Sequence, residues 1–248
     1  MRLNILQVIK LVLPAKIFEI KESIDMDSIV TKLSTFREEE SYKMDAGGTS
    51  RLVTDILDLR REEKSVEGIF SRDFVRKRYY RRRLVETLVT EEVPFWIKSV
   101  GNRMFLIALA PSVARGVKHL LTDHVASKLS QILFNNSLSI VEARISSENL
   151  KKLHESNPQA TKLIWFDDID IPGVQKLCLA GSSLADTKLY QEYLEHGKIW
   201  YVVFEVQKRG IVIGITRNCV ITLFSKSTTE SFVNYILEDL LTYVSSES

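Results

Sequence analysis

Apolar and polar positions along the chain change period several times, and each change marks an element. Met26, Ile29, Val30 and Leu33 recur three or four residues apart, which puts them on one helical face and predicts a helix over residues 27–36. The next stretch, REEESYKMDAGGTS (37–50), has no apolar period. Its three consecutive glutamates and the Gly47-Gly48 pair predict a mobile loop. From Leu52 the period falls to two: Val53, Asp55, Leu57 and Leu59 alternate with other residues, and VEGIF (66–70) reads as a further short strand. FWIKSV (95–100), Gly101-Asn102 and MFLIALA (104–110) together have the pattern of a hairpin whose second arm is apolar throughout, as in a strand buried on both faces.

Pro111-Ser112 predicts the start of a long helix, with Ser112 as the capping oxygen. Val113, Val117, Leu120, Leu121, Val125, Leu129, Ile132 and Leu133 form its apolar face. Shorter helices are expected at 147–154 and 186–196, the second closed by Gly197 just beyond its end, with strands at 161–166 and 176–180 between them. A meander follows over 199–206, 211–216 and 219–224, with turns at Lys208-Arg209-Gly210 and Arg217-Asn218. Ser227 and Glu230 have the spacing of a capping box, and Phe232, Ile236, Leu240 and Tyr243 line one face of a closing helix. Residues 1–13 (MRLNILQVIKLVL), ended by Pro14, read as a first core element.

This order predicts an α+β protein made of two similar antiparallel-sheet-plus-helix halves packed together, residues 1–136 and 137–248, with pseudo-symmetry between them. At 45% hydrophobic residues over 248 positions the chain can bury a sizeable core, which excludes a disordered tail. Cys178 and Cys219 lie in apolar stretches and cannot make a disulfide framework. The apolar start is broken by Arg2, Asn4, Gln7 and Lys10 and is shorter than the roughly 20 residues a membrane span needs. No small-residue cleavage site follows it. The expectation is a cytoplasmic protein without a membrane partner.

The net charge of +2 argues for no polyanionic partner until the charges are placed along the chain. Arg76, Lys77, Arg78, Tyr79, Tyr80, Arg81, Arg82 and Arg83 form an octet with six cations and no acid, which leaves the remainder of the chain at −4. Guanidinium groups pair with phosphate oxygens in bidentate fashion, and tyrosine rings offer faces to unpaired bases. If extended, the octet would set Arg76, Arg78, Tyr80 and Arg82 on one face and Lys77, Tyr79, Arg81 and Arg83 on the other. The acids flanking it, among them Glu67, Asp73, Glu86 and Glu91, offer the competing reading of an internally neutralised edge strand.

Other constellations are weaker. Asp167, Asp168 and Asp170 in WFDDIDIPG can hold a hard divalent cation, but aspartates before Pro-Gly more often bond local backbone N–H groups. Glu62 and Lys64 fit half of a metal-dependent nuclease pattern without a well-spaced upstream aspartate. His119 and His124, five apart, do not share a helix face, while His154 and His196 each fall in a last helical turn, where a cation complements the dipole. No Gly-x-Ser-x-Gly elbow, dinucleotide fingerprint or phosphate loop is present, and no cofactor or metal is expected. The leading expectation is a non-enzymatic nucleic-acid-binding protein, DNA or RNA, serving regulation or genome maintenance through residues 76–83. An oligomeric adaptor using Trp165, Trp200, Tyr201 and Phe204 is the alternative, and a metal-dependent nuclease the second.

Overall fold

The computed structural model describes residues 12–45, 47–110 and 118–245. The fold is α+β, built on antiparallel strands with several helices, and it divides into two compact units. One unit spans Phe18–Val141. The other takes the residues from Glu142 onward together with the described residues up to Ile17. Strand β1 (Leu13–Ile20) therefore belongs partly to each.

In the unit spanning Phe18–Val141, β1 is followed by α1 (Met26–Ser34), β2 (Arg37–Lys43), β3 (Thr49–Arg61), β4 (Ser65–Tyr80), β5 (Arg83–Val100), β6 (Arg103–Leu109) and α2 (Lys118–Phe134). Strands β2 to β6 pair in chain order, each antiparallel to the next. Asp25 starts α1 by accepting from the Ser28 backbone N–H at 2.8 Å. The helix then buries Ile29 and Leu33 against a cluster with Phe70, Phe95, Leu106 and Leu129. At roughly 2 kcal/mol for each large apolar side chain removed from water, this cluster is the main reason the strands stay together. Gly68 is required in it, because a Cβ there would lie 2.9 Å from the Phe95 ring.

Two expectations change here. Residues 37–43 of the predicted loop form β2, a strand polar on both faces. As the first strand in the order, β2 is paired on one edge only, so it shows no apolar alternation. Arg37–Asp55 at 3.3 Å, Arg51–Glu39 at 2.9 Å and Lys128–Glu38 at 2.6 Å tie it down. Only the tip remains a turn, where Gly47 and Gly48 take φ values of 92° and 90°. The second change is length: VEGIF is the start of a 16-residue strand and FWIKSV the end of an 18-residue one. The predicted start of α2 at Pro111-Ser112 and the first core element up to Leu11 lie outside the described residues.

Beyond β7 (Ile140–Glu142), the second unit contains α3 (Ser147–Glu155), β8 (Thr161–Asp167), β9 (Leu177–Ala180), α4 (Lys188–His196), β10 (Lys198–Val206), β11 (Ile211–Thr216), β12 (Val220–Leu223) and α5 (Thr229–Tyr235). Its strand order is β1-β12-β11-β10-β8-β9, antiparallel at each pairing. The predicted meander is present. The cap of α5 is Thr228 rather than Ser227; it accepts from Ser231 N–H at 3.1 Å, so Glu230 falls one position too early to close a box with it. Helix α4 starts at Lys188, capped by Thr187, because residues 184–186 form a 3₁₀ turn. Gly197 is extended at φ −159° rather than left-handed; its missing Cβ makes room for Ile169 and for the Asp167 carbonyl oxygen. Among the described residues no helix is long and apolar enough to cross a membrane.

Candidate nucleic-acid interface

The basic octet lies at the end of the β4–β5 hairpin. The ladder between the two strands runs from Ser65↔Lys98 to Tyr80↔Arg83. Strand β3 accompanies β4 only as far as the Thr54↔Arg72 pair, and β6 reaches β5 only from Phe95. The seven rungs from Phe74↔Val89 to Tyr80↔Arg83 therefore form a two-stranded ribbon, about 20 Å long at ~3.3 Å per rung. Every residue from Arg76 to Val85 is exposed.

Arg81 and Arg82 make the two-residue turn, at φ 44° and 65°. Positive φ at both central positions is the geometry whose twist matches a hairpin, and it ordinarily draws Asn-Gly. The absence of such a pair explains why residue patterning showed a basic run but no hairpin. Across the ladder, residues directly opposite share a face. Arg76 with Thr87, Arg78 with Val85 and Tyr80 with Arg83 line one face; Lys77 with Glu86 and Tyr79 with Leu84 line the other. This corrects the face assignment expected for a fully extended octet: Arg81 and Arg82 leave the strand, and Arg83 joins the Tyr80 face.

The structure sorts the eight residues by what holds them. Arg76 donates to Glu91 Oε1 at 3.0 Å and lies 5.6 Å from the Phe74 ring centre. Lys77 donates to Asp45 at 2.6 Å and contacts Glu86 at 3.0 Å. Glu86 also accepts from the Asp45 backbone N–H at 2.6 Å and the Tyr42 hydroxyl at 2.9 Å. The Asp45 N–H and the Lys77 ammonium hold the Glu86 carboxyl down at about 2, and the same carboxylate pushes the Tyr42 phenol up. Lys77 and Glu86 thus fasten the ribbon to the β2–β3 tip, and Arg76 fastens it at its base.

Arg78, Arg81, Arg82 and Arg83 form no ion pair with any described residue. Arg81 lies 5.5 Å from the Tyr80 ring centre, and Tyr79 is 80% exposed. Four unpaired guanidinium groups, two tyrosines and the exposed Leu84 and Val85 make up the free end, and exposed Leu88 lies nearer the base, opposite Val75. Those three apolar residues were not singled out in the sequence, although they continue the strand's length past the octet.

A cleft of about 510 Å³ opens beside the base of the ribbon, lined by residues that include Glu38, Tyr42, Arg72, Phe74 and His124. Within it Lys128 pairs with Glu38, and Arg72 donates to His124 Nε2 at 2.6 Å. Burial, then the Arg72 charge, lowers the pKa of His124.

The other candidate residues are engaged elsewhere. Asp167 and Asp168 face Arg217, Asp168 is also 3.8 Å from Lys198, and Asp170 receives His196 Nδ1 at 2.9 Å. Glu62 accepts from the Ser65 hydroxyl at 3.0 Å in the β3–β4 turn. Among the described residues no group of three or more His, Cys, Asp or Glu is placed to hold a metal. Strand β10, which carries Trp200, Tyr201 and Phe204, is hydrogen-bonded to β8 on one side and β11 on the other; Trp165 sits opposite Tyr201 on β8. His154 is fully buried and its pKa is lowered to about 4, first by burial and then by Lys151, so it is a neutral core group rather than a cation at a helix end. The chain matches no family model and no curated protein.

Proposed function

We propose that this is a non-enzymatic nucleic-acid-binding protein whose contact element is the β4–β5 ribbon, with Arg78, Arg81, Arg82 and Arg83 on phosphates and Tyr79 and Tyr80 beside them. The role is regulation or genome maintenance. One observation carries the reading: four arginines without acidic partners among the described residues are gathered at an exposed end, although the chain as a whole is almost neutral and acids satisfy the cations at the ribbon's base. An internally neutralised edge strand would have paired the end as it pairs the base. Arg76 and Lys77 serve in this reading as anchors of the arm.

A salt titration tests it. Binding to generic DNA or RNA falls with a log–log slope of about −0.9 for each phosphate neutralised. Replacing the four free arginines by alanine should therefore flatten that slope by up to about 4 and remove most of the affinity. Absent binding at low salt, or binding indifferent to the four substitutions, rejects the proposal. The free thiols Cys178 and Cys219 suit the cytoplasmic setting that belongs to it. We also propose that the two units repeat one pattern, since each pairs antiparallel strands with α-helices.

A further inference from the structure

Resting on that reading, we propose that the arm's ligand is duplex DNA of B form and that the ribbon enters its major groove tip first.

Cross-section is the first argument. Two strands lie about 4.8 Å apart, and a two-stranded ribbon is one of the two elements that a major groove about 12 Å wide admits. Beyond the Lys77↔Glu86 rung, which is fastened to the β2–β3 tip, the ribbon runs three more rungs, about 10 Å at ~3.3 Å each, and this exceeds the groove's depth of about 8.5 Å, so the tip can reach base edges while the fastened base stays outside. The major groove of duplex RNA is too narrow for side chains to read.

The tyrosines supply the second argument. Binders of single strands stack successive bases on aromatic platforms. Here Tyr79 and Tyr80 point to opposite faces of the ribbon, and the Tyr80 ring already carries the Arg81 guanidinium. They form no common platform.

The third argument is what surrounds the arginines. Arg78, Arg83 and the two turn residues lie on a face and at the tip, where guanidinium groups meet either backbone phosphates at the groove walls or guanine O6 and N7 on its floor. Leu84 and Val85, exposed on opposite faces beside them, offer the apolar surface that a thymine methyl group contacts.

The test uses the full chain and fluorescence anisotropy with three probes: a 20-base-pair DNA duplex, one of its single strands, and an RNA duplex of the same sequence. Guanine N7 methylation by dimethyl sulfate on the DNA duplex is the second readout. The expected result is at least tenfold tighter binding of duplex DNA, with N7 positions protected. Both effects should vanish in the Arg78→Ala/Arg81→Ala/Arg82→Ala/Arg83→Ala variant, whose near-UV circular dichroism should be unchanged because all four side chains are exposed. If the single strand or the RNA duplex binds as tightly, or N7 stays reactive, while the variant still loses affinity, the duplex inference is overturned and the nucleic-acid reading stands. If the native chain binds none of the three probes, or the four-alanine variant binds them as tightly as the native chain, both are overturned.

Discussion

Arg76 donates to Glu91 across the ribbon at 3.0 Å, joining a half-exposed cation to a carboxylate whose side chain is only 5% exposed. The other Glu91 oxygen has no hydrogen-bond partner and is buried. Arg76 is therefore the group that makes a buried negative charge tolerable at the point where the ribbon leaves the sheet. Removing one member of such a pair costs more than the pair itself contributes, because the remaining charge stays desolvated. Arg76→Ala is expected to lower stability by about 2 kcal/mol in urea denaturation, against under about 0.5 for Arg78→Ala. Adding Glu91→Gln to Arg76→Ala should recover part of the loss. Equal effects of the two arginine substitutions would show that Arg76 is as free as its neighbour.

The turn makes the opposite prediction. Arg81 and Arg82 hold positive φ, a conformation that costs a non-glycine residue roughly 1–2 kcal/mol. Asn and Gly at these positions relieve that cost and suit the hairpin twist. In the double variant Arg81→Asn/Arg82→Gly the ribbon amides should exchange with solvent more slowly, while affinity for DNA should fall with the loss of two cations. Stability and binding moving in opposite directions would mark the strain as retained for function. A variant that is both tighter-folded and equally tight on DNA would remove the turn arginines from the interface.

How much of this was legible in the sequence depends on what held each element. Core strands and helices were visible because burial imposes a period: Ile29 and Leu33 on α1, or Ile213 and Ile215 on β11, must face inward. Strand β2 was not, since its residues 38–40 are three glutamates held by β3 and by the ion pairs of Glu38 and Glu39, and edge pairing leaves no apolar trace. The octet's charge was plain, but its shape was hidden by a turn made of two arginines. Which cations were free was also beyond reach, because the acids that take Arg76 and Lys77 lie 15 residues along the strand pair at Glu91 and 32 residues away at Asp45.

Lys77 and Glu86 set the arm's orientation against the β2–β3 tip, and this has a pH signature. The Asp45 N–H, with Lys77 and Tyr42, holds the Glu86 carboxyl at about 2, below its ordinary 4.5. With the folded value depressed, the attachment is complete above pH 4.5 and is lost as pH falls through about 2. Glu86→Gln should loosen it at neutral pH. Faster amide exchange at Asp45, with the core amides of β4 unchanged, is the expected result in that variant. An unchanged Asp45 amide would mean that the tip is held by other contacts.

His154 gives a second pH dependence, in the other unit. Its Nε2 is 3.0 Å from the Tyr190 hydroxyl, which donates to Glu155 at 2.8 Å, while Nδ1 is 3.3 Å from the Thr161 hydroxyl. This chain is satisfied by a neutral imidazole protonated at Nε2, and burial with the neighbouring Lys151 lowers the pKa to about 4 from an ordinary 6.5. Between those values the unfolded chain takes up a proton that the folded one refuses. Stability is therefore full above pH 6.5 and declines as pH falls toward 4, by at most on the order of 3 kcal/mol. Urea midpoints between pH 7 and 4.5 should fall more steeply for the native chain than for His154→Gln, which cannot titrate there. The variant should start lower at pH 7, because glutamine does not fill the ring's volume against Tyr190, and the two lines should converge on acidification. Parallel lines would mean that His154 is protonated in the folded state as readily as in the unfolded one, and that the buried chain to Glu155 carries a charge.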